Sequence, residues 1–579
     1  MRTRAFVGVA ATVAFAAALV TGPANSAGAD TARPSHTGAL QQYVVLYEAG
    51  ADDALARAAV AAAGGTVLSS NAAVGYAVAE SRASDFSLRA ARADVLVGAA
   101  RNRSIGTAPT RERPSKDEVE RLSADRAAAL STSADAAPSV AAGVEPLADR
   151  QWDMKQIGAT AKGSYAVQRG KKGVLVGVID TGVDGSHPDI APNFDRGLSR
   201  NFTRDMPDID NGEDADGDGK GDEPCEYVGC VDPADVDDND HGTHVASTIG
   251  SPINGVGIGG VAPDVTLVNI RAGQDSGYFF LQPTLDALVY AGDIGVDVVN
   301  MSFYVDPWLY NCNNLPGDSE AEQAEQRTVR QAVQRAVTYA RTKGVLPVAA
   351  AGNGATDLGK PVFDGSSPDY PVGSERDRDI DNSCITVPTE TRGVVAVTST
   401  GISGRKAYYS DYGIEQADVA APGGDTYDTP DQRRDVTRAV LAAYPKALAK
   451  ARGELDATGK PVVDYVVRDC TGGNGCSFYT YLQGTSMASP HAAGVAALLV
   501  SKHGSKDPAH PGLTLAPAQT EGLLSGTAVD HRCPAGGVQD YRRLLSDGKV
   551  ETATHRCEGT VERNGFYGEG IVNALRAVR

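Results

Sequence analysis

Apolar and polar positions change rhythm along the chain, and the change divides it. From Gln41 the segments QQYVVLYEAG, ADDALARAAVAAAGG, TVLSS, VGYAVAE, DFSLRAARA and DVLVGAARN read as strand, helix, strand, strand, helix, strand. That order predicts a small α+β unit of ferredoxin-like type. Roughly Thr107 to Leu147 is rich in Ala, Ser, Pro and charge, with no sustained apolar period except a short helix near Lys116 to Ala129, and reads as a linker. Beyond Trp152, VLVGVID, VTLVNIRA, DVVNMSF, VLPVAAAGN and GVVAVTST read as buried strands. Between them lie helical patterns starting at HGTHVAST and spanning Gln282 to Ile294 and Glu322 to Lys343. Such alternation predicts an α/β fold with a mostly parallel sheet and helices on both faces. A further helical pattern covers RRDVTRAVLAAYPKALAKARG, within the long stretch between Gly424 and Gln483.

The first residues add an address. Arg2 and Arg4 precede an apolar run from Ala5 to Val20, and small residues follow around Asn25 to Ala29, the pattern of a secretory signal peptide. The run is short for a membrane span of about 20 residues and is closed by Gly22-Pro23. The chain therefore divides into a signal peptide, 1–29, an α+β domain, 30–106, a linker, 107–147, and an α/β domain, 148–579, in a secreted, extracellular protein. Eight cysteines, an even count in an oxidising compartment, favour disulfides. Eight cysteines allow 105 connectivities; spacing is compatible with local loops closed by Cys225 with Cys230 and Cys470 with Cys476 and a C-terminal clip of Cys533 with Cys557, with Cys312 and Cys384 left by elimination.

Charge narrows the partners. Lys and Arg number 54 against 73 Asp and Glu, a net charge of −19, which argues against nucleic acid or an anionic membrane. The acidity is local: from Asp205 to Asp240 there are fifteen acids and one base, Lys220. Within that loop Asp214, Asp216, Asp218 and Asp222 are spaced like the start of a D-x-D-x-D-G calcium loop, with Gly219 after the third. Ca²⁺ suits hard, clustered carboxylates, although position twelve falls on Cys225, so Glu223 has to replace the usual bidentate Glu. The alternative is a solvated acidic loop.

Three segments place a reactive side chain where a strand or loop meets a helix: VIDTGVD (Asp180), DDNDHGTHVAS (His241) and QGTSMASPHAAGVAALL (Ser486). A serine hydroxyl needs an imidazole to take its proton, and the imidazole needs a carboxylate on its other nitrogen. In the order Asp, His, Ser, with Gly-Thr-Ser-Met-Ala in place of G-x-S-x-G, the set differs from an α/β-hydrolase. It resembles the subtilisin family of serine proteases. The resemblance extends to AAAGN ending at Asn353, APGG at Ala421 to Gly424 and YGEGIVNA from Tyr567 to Ala574. It implies a subtilisin-like endopeptidase acting on protein and peptide substrates through an acyl-enzyme, with no cofactor needed for the chemistry. It assigns the oxyanion to Asn353 and the Ser486 backbone N–H, and leaves His244 and His491 as packed helix residues. The leading unit resembles the propeptide of that family, an intramolecular inhibitor and folding aid whose C-terminal tail occupies the groove. Calcium is common in the family, at positions other than those of this acidic loop. Where the family usually has Ser-Leu-Gly-Gly after Asn300, this chain has Ser302-Phe303-Tyr304-Val305, so Tyr304 is expected to narrow one edge of the groove. A binding protein on an inactive scaffold is the rival reading, and the complete triad argues against it.

Overall fold

The computed structural model describes residues 39–102, 119–121, 144–205, 227–371, 373–471 and 475–579. The signal segment, Asp214, Asp216, Asp218, Asp222 and Glu223, and all but three residues of the Lys116 to Ala129 helix lie outside them.

The leading unit has the expected order: strands Gln41–Tyr47, Gly65–Asn71, Tyr76–Ser81 and Leu96–Asn102, and helices Asp53–Ala62 and Phe86–Ala90. Its four strands pair antiparallel with the first beside the third and fourth. One sheet face packs on the unit's own helices through Tyr43, Val45, Ala56, Val60 and Phe86. The other carries Val44, Leu46, Tyr76 and Val78 into the core of the larger domain, against Leu285, Val329 and Val333. The contact is also polar. Arg335 donates to the Tyr47 carbonyl at 2.5 Å, and the Arg101 N–H to Glu325 at 3.1 Å.

In the larger domain seven strands form one parallel sheet, ordered Val419–Pro422, Val395–Thr400, Leu346–Ala350, Val298–Met301, Leu175–Ile179, Thr266–Arg271, Arg200–Asn201. Strand periodicity separates its two faces. Val176 and Val178 pack with helices His241–Gly250 and Thr485–His503, while Leu175 and Ile179 pack with helices Leu281–Asp293 and Glu320–Thr342. The last of these starts two residues before the expected Glu322. Ser319 caps it in a reciprocal capping box with Glu322, which makes Glu322 the third helical residue.

One expected helix is corrected. Within RRDVTRAVLAAYPKALAKARG, Val440–Ala443 is a strand, and only Lys446–Ala451 is α-helical. Val440–Ala443 is fully buried and pairs antiparallel with Ser477–Leu482, itself paired with Val466–Asp469. Pro445 forbids a helix running through, and the buried edge of Ser477–Leu482 supplies hydrogen bonds that outweigh local helix propensity. Disulfides join Cys312–Cys384, Cys470–Cys476 and Cys533–Cys557. Cys230 is also disulfide-bonded, and its expected partner Cys225 lies outside the described residues. Among the described residues no helix is long and apolar enough to cross a membrane.

Candidate active site

Open parallel sheets bind ligands beyond the carboxyl ends of their strands, where the chain turns toward a helix. The four candidate side chains converge there. Asp180 follows strand Leu175–Ile179, Asn353 follows Leu346–Ala350, His241 opens one helix, and Ser486 is second in the helix that begins at Thr485. Strand Ser477–Leu482 feeds Ser486 through Gln483-Gly484-Thr485.

Asp180 is fully buried, and its Oδ1 accepts from the Thr181 N–H at 2.8 Å and from His241 Nδ1 at 2.7 Å. That contact presents Nε2 of the imidazole to the groove. The two loops touch at Gly242, where a Cβ would lie 2.0 Å from the Gly182 carbonyl oxygen. Only glycine permits that approach. Asp237 braces the turn: one oxygen accepts from the Asn239 and Asp240 N–H groups at 3.1 Å each, the other from the Thr243 N–H at 2.9 Å. Asn353 is oriented by its own carbonyl, which accepts from the Thr485 N–H and hydroxyl, both at 2.9 Å. Its amide Nδ2 therefore faces the point above Ser486. Ser302 Oγ donates to the Ser486 carbonyl at 2.9 Å, and Ser489 Oγ to Asn300 Oδ1 at 2.7 Å, tying the serine helix to the strand edge.

A fifth group sits among these, and sequence reasoning missed it. Glu120, from the segment read as linker, accepts through Oε1 from Ser486 Oγ at 2.6 Å and from Asn353 Nδ2 at 2.8 Å, with Oε2 3.3 Å from His241 Nε2. Its neighbours are held too. Gln483 Nε2 donates to the Val119 carbonyl at 2.9 Å, and Arg121 forms an antiparallel bridge with Leu482. Nothing in the composition around Glu120 marks it out, because its meaning comes from a contact 366 positions along the chain. Burial opposes a charged imidazole, but Asp180, by charge and hydrogen bond, and then Glu120 outweigh it and hold His241 well above its ordinary value.

His244 and His491 are structural, as expected. Nε2 of His244 lies 3.1 Å from the Val440 carbonyl, and burial lowers its pKa to about 3. His491 bridges the Met487 carbonyl, at 2.8 Å, and Asp153, at 3.0 Å. Tyr304 lines the cavity that holds His241 and Ser486, of about 320 Å³, and its hydroxyl donates to Asp369 at 2.7 Å. Among the described residues, the group with metal-like spacing is Asp205, Asp232 and Asp275. Arg271 already bridges it, at 2.7 Å from Asp205 and 2.9 Å from Asp275, with a further contact to Asp232.

Comparison with known proteins agrees with this architecture. Residues 171–557, well over half of the chain, match the Subtilase family, Peptidase S8. The chain belongs to that family, and fold and family together make it a serine-type peptidase. It is 29% identical over 340 residues to a thermophilic serine proteinase of Bacillus sp. (strain AK1), covering 58% of this chain and 55% of that protein. It is 29% identical over 368 residues to subtilisin DY of Bacillus licheniformis, covering 62% and 86%. The alignment thus spans about half the length of the first relative. The epidermin leader peptide processing serine protease of Staphylococcus aureus shares the fold, with TM-score 0.54 at 20% identity, over 93% of this chain and 98% of that one.

Proposed function

We propose that this chain is a secreted serine endopeptidase that hydrolyses peptide bonds through an acyl-enzyme, and that its own leading region holds it inactive until removed. The observation that supports both parts is the seat of Glu120 Oε1 between Ser486 Oγ, at 2.6 Å, and Asn353 Nδ2, at 2.8 Å. A negatively charged oxygen in that position stands where the oxyanion of a tetrahedral intermediate has to be held.

In the reaction, Ser486 Oγ attacks the substrate carbonyl and its proton passes to His241 Nε2. Asp180, on Nδ1, fixes the tautomer and stabilises the imidazolium. Asn353 and the Ser486 N–H hold the oxyanion, the latter because the first N–H groups of a helix have no partner within it. His241 then returns the proton to the leaving amine. Water attacks the acyl-enzyme by the same route. With Glu120 in place the serine hydroxyl donates to a carboxylate instead of to the imidazole, and a substrate carbonyl is excluded. The docked α+β unit anchors that segment. Protein and peptide substrates, the leading region as intramolecular inhibitor, and a structural Ca²⁺ at Asp214, Asp216, Asp218 and Asp222 complete the reading.

The test is labelling of the matured protein with a fluorophosphonate and mapping of the modified peptide. Modification of Ser486, lost on His241→Ala, is expected. A protein that takes no label would be a binding protein on an inactive scaffold.

A further inference from the structure

We propose that Asp240, with the backbone carbonyl of Asn239, forms an acidic subsite in the catalytic groove that selects peptides carrying an arginine or lysine close to the scissile bond. The proposal rests on the proteolytic reading above and names its substrate class.

The occupant that reveals the subsite is Arg121. Its guanidinium Nη2 lies 2.8 Å from Asp240 Oδ1 and donates to the Asn239 carbonyl at 3.0 Å and to Asn239 Oδ1 at 3.3 Å. The Asp240 side chain is 3% exposed, whereas Arg121, at 29%, reaches it from the groove. Asp240 immediately precedes His241, and both line the same cavity as Ser486 and Leu482. Its backbone has φ of +90°, in the left-handed region that a non-glycine residue rarely adopts. Strain of that kind persists where the surrounding structure imposes it, as at binding sites.

Charge explains why the seat takes a cation. The other oxygen of Asp240 accepts from Arg452 at 3.1 Å, and Arg452 also donates to the Asn239 carbonyl at 2.9 Å. Behind this wall Glu454, which accepts from the Tyr444 and Tyr465 hydroxyls, is a second acid in the electrostatic reach of Arg452 and Asp240. Without Arg121, the Asp240 oxygen that faces the groove loses its cation, while the other stays on Arg452 in the cavity wall. A buried charge in that condition favours a cationic partner strongly. Arginine fits better than lysine because one planar fork reaches both a carboxylate and a carbonyl.

Among the described residues of the bound segment, the group on Ser486 Oγ is the side-chain carboxylate of Glu120 and not a backbone carbonyl, so Val119 to Arg121 are not themselves seated for cleavage. The side-chain seat beside it becomes available to substrate once the segment leaves.

The experiment compares internally quenched peptides with arginine or its neutral isostere citrulline, scanned through the two positions on either side of the scissile bond, using matured enzyme. At one position arginine should raise kcat/KM over citrulline by about tenfold or more. Asp240→Asn should bring that ratio close to one while Ser486 still takes the fluorophosphonate. A ratio under about twofold at every position in the labelled wild-type enzyme, or a preference surviving Asp240→Asn, overturns the subsite and leaves the proteolytic reading standing. Loss of labelling together with turnover overturns both.

Discussion

Each side chain of the candidate site is restricted to one chemical role by a neighbour that uses its other atoms. Asp180 holds Nδ1 of His241, so only Nε2 is free for proton transfer. Thr485 holds the carbonyl of Asn353, so only the amide faces the oxyanion. Asn353→Ala should therefore lower kcat about 10²–10³-fold with a small change in KM, because the donor acts chiefly on charge that develops in the transition state. Steady-state kinetics on one peptide checks it; a change confined to KM would remove Asn353 from the oxyanion site. The pH dependence has a definite sign. The neutral imidazole is the active base, and Asp180 raises the pKa of His241, so kcat/KM should rise with pH through that titration to a neutral or alkaline plateau. A hydrolysis profile with its maximum near pH ~4 would contradict the assignment.

At the scale of an element, the proposed function makes the three residues Val119 to Arg121 a latch. Glu120 contributes to raising the His241 pKa, so their attraction is fully present below the ordinary imidazole value of about 6.5 and is lost as pH rises through the raised one. The charged groups around it are Asp180 behind the ring and Asp240, Arg121 and Arg452 beside it. Glu120→Gln in the full-length precursor should speed loss of the leading region several-fold at neutral pH, and the advantage should shrink toward alkaline pH. A time course of precursor mass, with wild type and variant at several pH values, measures both. Equal rates throughout would show that another contact sets the latch.

Over the whole molecule, the proposed function makes the leading unit, the sheet and the triad parts of one self-processing system. Ser486→Ala should accumulate as a precursor retaining the α+β unit, while wild type loses it, as read by intact mass in the absence of other proteases. Efficient processing of the variant would assign the cut to another enzyme. Stability has an electrostatic anchor at Arg271, whose fully buried guanidinium serves three carboxylates beside the acidic loop. Arg271→Met should cost about 3–5 kcal/mol, since it strands those charges. Calcium at the acidic loop predicts a further stabilisation, about 2.7 kcal/mol at a hundredfold excess over Kd. Thermal unfolding of the Ser486→Ala protein with calcium and then chelator tests it. A shift that survives Asp214→Asn, Asp216→Asn and Asp218→Asn together would place the ion elsewhere.

The fold was legible from local pattern because alternating buried strands and amphipathic helices leave few architectures that bury them. Asp180, His241, Asn353 and Ser486 were legible because each stands in a motif whose small neighbours are required by close backbone approach, as at Gly242. The Val440–Ala443 strand was misread as helix because its hydrogen-bond partner, Ser477–Leu482, is far along the chain. Glu120, Arg121 and Asp240 carried no local signal. Their roles arise only when a short segment of the presumed linker crosses the groove and its charges meet partners more than a hundred residues away. Local periodicity determined the elements and the order of the triad, since both depend on neighbours in sequence. Tertiary structure alone decided which carboxylate faces the serine and which faces an arginine, since desolvation and charge pairing depend on neighbours in space.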